Sequence, residues 1–118
     1  MNSKFYVSYE AARLLKEKGY NEECDCAIDE DSDIHVCEYR MNQDLPEWKW
    51  SCPTKDEAID WLEGHGIRVS ITYVEEELYS YDIDNLYTNE SISGFESTRL
   101  QAKNTAIIEA CKLLDNKN

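Results

Sequence analysis

The donors best suited to holding a metal lie in the first half of the chain. Cys24, Cys26, Cys37 and Cys52, with His35 among them, are the thiolate and imidazole groups that zinc prefers. Their spacing argues against a zinc module. Cys24 and Cys26 are separated by a single residue rather than by a knuckle's turn, and no second paired motif follows. Asp29, Asp31 and Asp33 match the first, third and fifth ligands of a calcium loop. Ile34 stands where that loop needs glycine, and Arg40 where it needs a bidentate glutamate, so the turn and the closing ligand are both missing. The reading is core thiols and an acidic hairpin tip, with no metal and no cofactor.

Catalytic constellations are absent from the pattern. His35 and His65 are the two histidines, the side chains that ordinarily titrate near neutral pH. His65 sits between Gly64 and Gly66 at a predicted helix end, where a cation is favourable and a capping role is expected. No nucleophile elbow, zincin motif or dinucleotide fingerprint occurs, and four glycines in all leave little with which to build a phosphate-cradling loop. The expectation is a protein without enzymatic activity.

Charge supplies the sharper candidate. Twelve basic residues face 25 acidic ones, a net charge of −13, which opposes nucleic acid and anionic membranes alike. Between Arg68 and Arg99 lie seven acids and no base. Glu75, Glu76 and Glu77, with Asp82 and Asp84 and the tyrosines Tyr79 and Tyr81, form a candidate surface for a protein partner, a basic one by charge.

The elements that must position these groups follow from periodicity. Ser8 as N-cap, the stripe Ala11, Leu14 and Leu15, and Gly19 as terminator predict a helix over Tyr9–Lys18. Cys24, Cys26 and Ile28 share one strand face, Asp29–Asp33 turns, and 34–37 returns as a hairpin. Met41–Leu45 reads as a connecting loop, and Trp48, Trp50 and Cys52 as alternate positions of a short strand. Thr54 with Glu57 predicts a capping box for a helix carrying Ala58, Trp61 and Leu62. Ile67, Val69, Ile71 and Tyr73 alternate with polar residues, Glu75–Glu77 turns, and Tyr79, Tyr81 and Ile83 return. A further strand near Ser91–Phe95 precedes a second capping box, Thr98 with Gln101. A terminal helix then carries Leu100, Ile107, Cys111 and Leu114, before fraying residues 116–118.

The order α-β-β-β-α-β-β-(β)-α predicts an α+β fold: a small, mostly antiparallel sheet with three helices, in one domain spanning 1–118, its thiols and indoles filling the interior. Five cysteines, an odd number, together with an N-terminus lacking an apolar signal region, place the expected location in the reducing cytoplasm. No stretch is long and apolar enough to span a membrane. The sequence leaves the oligomeric state open.

Two stretches carry resemblances. The opening SYEAARLLKEKGYNEEC, with the later PTKDEAIDWL, resembles small proteins of unknown function carried by phages and mobile elements of gut bacteria. That resemblance implies a bacterial accessory protein and no established activity. TRLQAKNTAIIEACKLL is similar to the last helix of double-stranded-RNA-binding domains. Arg99 and Lys103 keep basic positions of that helix, whereas Leu100 replaces a lysine that would contact phosphate.

Overall fold

A computed structural model describes residues 3–115, with side chains of 37–39 and 115 excepted; the fraying expected at 116–118 lies outside the described residues. It is an α+β fold of three α-helices and two antiparallel three-stranded sheets. The elements are α1 (Tyr9–Glu17), β1 (Cys24–Asp29), β2 (Ile34–Arg40), β3 (Lys49–Ser51), α2 (Lys55–Gly64), β4 (Ile67–Glu75), β5 (Leu78–Asn85), β6 (Ser91–Glu96) and α3 (Arg99–Asp115). The strands thus fall in two sheets rather than one, and the chain divides into two compact units, Met1–Thr54 and Lys55–Asn118.

In the first unit the strand order is β2-β1-β3. Ser8 caps α1 by accepting from the Ala11 amide at 3.2 Å, and Gly19 ends it at φ +95°, a conformation open to glycine at no steric cost. α1 lays Ala11, Ala12 and Leu15 into the core, where Cys24, Cys26 and Ile28 are also buried. The row Ile34–Ile28–Trp50 crosses all three strands, and the Tyr9 ring of α1 meets Trp50 edge-on at 5.1 Å. The expectation that all indoles are interior does not hold. Trp48 is 58% exposed, its ring 4.8 Å from the Lys49 ammonium, because β3 begins only after it.

Residues 41–45, read as a connection, place one polar side chain in this core. Asn42 is buried, its Nδ2 donating to the Tyr20 carbonyl at 2.7 Å and its Oδ1 accepting from the Ser51 amide at 2.8 Å. One amide therefore satisfies two buried backbone groups from different segments.

The second unit runs α2-β4-β5-β6-α3, with sheet order β4-β5-β6. Register pairs Val69 with Ile83 and Ile83 with Ile92, placing the apolar positions of all three strands on the face that α2 and α3 cover. Leu62, Ile67, Ile83, Ala102, Ala106, Ile107 and Ala110 are buried there. Thr98 caps α3 by accepting from the Gln101 amide at 3.1 Å. The Gln101 side chain accepts from Ser97 at 2.6 Å, so the reciprocal partner sits one residue before the predicted one. Gly94 is required by contact: the Tyr81 ring occupies the place a Cβ would take.

Candidate functional site

Polar groups that the sequence brings close in the first unit are held by one another. Asp29 Oδ1 accepts from the amides of Asp31 and Asp33 at 3.0 and 3.1 Å, which fixes the hairpin turn. Its Oδ2 accepts from His35 Nε2 at 2.9 Å, and that bond, with the two backbone amides, holds the carboxyl below its ordinary value. Asp29, Asp31 and Asp33 bring ligand atoms within 4.8 Å of one another, and among the described residues they are the one group of His, Cys, Asp or Glu that does so. Cys24, Cys26 and Cys52 are buried thiols outside any such group, and the Cys37 side chain lies outside the described residues. His65 behaves as a cap: its Nδ1 donates to the Trp61 carbonyl at 2.9 Å and its ring lies 4.2 Å from the Trp61 ring.

The residues named as a partner surface divide between two faces of the β4-β5-β6 sheet. Tyr79 and Tyr81 point to the helix side, where Arg99 lies over the Tyr79 ring at 5.3 Å. Burial, then the nearby charges of Glu109 and Glu96, raises the Tyr81 phenol above its ordinary value. Asp82 and Asp84 lie on the opposite, open face in the rows Ser70–Asp82–Ser93 and Arg68–Asp84–Ser91. Asp82 accepts from the Ser93 hydroxyl at 2.7 Å, so this carboxylate is engaged within the sheet.

No protein-family model, curated protein or solved structure matches the chain.

Glu75, Glu76 and Glu77 do come together, at the turn joining β4 to β5, and all three are exposed. Glu77 takes φ +58°, a left-handed conformation that usually selects glycine or asparagine. Beside the turn the sequence reading missed an apolar rim. Tyr73 is 57% and Val74 48% exposed. The register jumps between Tyr73 and Glu75, so Val74 is the extra residue of a bulge. Two adjacent apolar residues ending an otherwise alternating strand were the available signal. Phe95, 63% exposed, lies across the open face in the row Thr72–Ser80–Phe95.

The basic groups of the RNA-binding resemblance are occupied. Lys103 Nζ lies 2.7 Å from Asp56 Oδ1, and Arg99 is stacked on Tyr79. Among the described residues no helix is long and apolar enough to cross a membrane.

Proposed function

We propose that this is a non-enzymatic, acidic accessory protein that works by protein–protein contact, its β4–β5 turn meeting a basic surface on the partner. The observation that carries the reading is Glu77. A β-hairpin turn with a left-handed position is ordinarily built with glycine or asparagine, and here a third consecutive carboxylate takes that position at a conformational cost. Tyr73 and Val74 beside it add exposed apolar surface, the combination of anchor and charge that protein interfaces use. The opening SYEAARLLKEKG resemblance supports a phage or mobile-element setting in a bacterial cytoplasm.

The test is affinity capture from a bacterial host followed by reconstitution with the purified partner. The variant Glu75→Lys, Glu76→Lys, Glu77→Lys should lose the partner, and wild-type binding should weaken as salt rises. Binding that survives the charge reversal sinks the proposal.

A second reading, a duplex-RNA-binding module, is favoured by one observation. The order α2-β4-β5-β6-α3, with both helices on one sheet face, is the order that the resemblance of the last helix implies. Glu75–Glu77 and the Lys103–Asp56 pair weigh against it. A salt-sensitive gel shift with duplex RNA, lost in Arg99→Ala and Lys103→Ala, would establish the RNA reading in place of the first.

A further inference from the structure

We propose that β4 is a self-complementary edge through which two copies of the chain join, antiparallel, about a two-fold axis at Ile71. The inference goes beyond the function proposed above and does not depend on it.

β4 ends the sheet, with β5 on its inner side and no described strand on its outer side. The Leu86 amide donates to the Gly66 carbonyl at 2.8 Å. Antiparallel ladders alternate, so Arg68, Ser70 and Thr72 bond to β5, whereas the backbone groups of Val69, Ile71 and Tyr73 face outward. An antiparallel second copy centred on Ile71 sets Ile71 opposite itself and Val69 opposite Tyr73. Outward groups then meet outward groups, and β-branched and aromatic side chains meet on one face.

The charges single out this register. Arg68 near the start of β4 and Glu75 at its end are both exposed, and among the described residues neither has an ion-pair partner. They also share a face. Arg68 is paired with Asp84 on the open side, and the bulge at Val74 turns Glu75 to that side too, opposite Leu78. Arg68 is three residues from the proposed axis, about 10 Å along the strand. Glu75 is four residues away, one of them absorbed in the bulge, so each copy's Arg68 meets the other's Glu75 at both ends of the joint strand. The long-range repulsion of two chains of net charge −13 opposes the pairing, but at physiological salt it is confined to about 8 Å. Glu76 and Glu77, on the turn, stay outside the paired segment.

The experiment is sedimentation of the full chain up to millimolar concentration at physiological salt, with four companions. Ile71→Pro removes an amide that faces outward and leaves the ladder to β5 whole, so it should stay folded and be monomeric. Arg68→Glu should weaken association by roughly tenfold or more, since it breaks two symmetry-related pairs, and Arg68→Glu with Glu75→Arg should restore it. Independently of any variant, the amides of Val69, Ile71 and Tyr73 should exchange slowly at high concentration and fast on dilution. Those of Ser70 and Thr72 should stay protected throughout. A wild-type chain that remains monomeric overturns the proposal and makes Glu75–Glu77 a guard against edge pairing. So does a dimer indifferent to Ile71→Pro, a dimer indifferent to Arg68→Glu, or exchange at the three outward amides that does not depend on concentration.

Discussion

Lys103 on α3 reaches Asp56 in the first turn of α2, Nζ to Oδ1 2.7 Å, and so joins the two helices that cover the β4-β5-β6 sheet. Asp56 is 74% exposed, which limits the pair to at most about 1 kcal/mol. Lys103→Ala should therefore lower the unfolding free energy only slightly in a urea titration. Asp56→Ala is the more informative change. It releases the Lys103 ammonium, and it is the variant in which any latent affinity for duplex RNA should first appear in a gel shift.

Glu77 makes an opposite kind of prediction, one in which function and stability part. Relieving its φ of +58° with Glu77→Gly should stabilise the second unit by about 1 kcal/mol, read as a raised denaturation midpoint. The same change removes one carboxylate from the turn and should weaken capture of a basic partner.

Asn42 is the residue on which the first unit's polar core depends. Asn42→Ala leaves the Tyr20 carbonyl and the Ser51 amide without their partner in a buried place, and should cost about 2 kcal/mol in chemical denaturation. A surface-loop residue, which is how 41–45 reads in the sequence, would cost close to nothing.

Acid should expose the Asp29–His35 bond. The Asp29 carboxyl titrates below its ordinary 3.8 in the folded chain, so on acidification the unfolded chain takes up this proton first. The contribution is complete above that ordinary value and is lost as pH falls through the lowered folded one. Asp29→Asn should flatten this part of the acid limb in thermal melts followed from neutral pH downward.

What was legible in the sequence was local. Ser8, Gly19, Thr98 and the alternation of Ile67 to Tyr73 act within a few residues of themselves, and each appears where it was expected. Buried thiols at Cys24, Cys26, Cys52 and Cys111 also follow from composition and periodicity. The rest depends on pairings between distant segments. β1 takes β2 on one side and β3 on the other, which closes the first sheet before α2 begins; no local pattern announces that partition. Asn42 looks like any loop asparagine until Tyr20 and Ser51 are beside it. The candidate surface was half legible for the same reason. Alternation along β5 separates Tyr79 and Tyr81 from Asp82 and Asp84, but which side the helices cover is decided by α2 and α3. The bulge that re-aims Glu75 is a property of two strands and not of one.

The Tyr81 ring seated over Gly94 has a consequence for descent. A side chain at 94 and an aromatic at 81 compete for one volume, so neither position is free to drift alone. Related chains that gain bulk at 94 should carry a smaller residue at 81, and that paired change would mark inheritance of this sheet even where little else in the sequence survives.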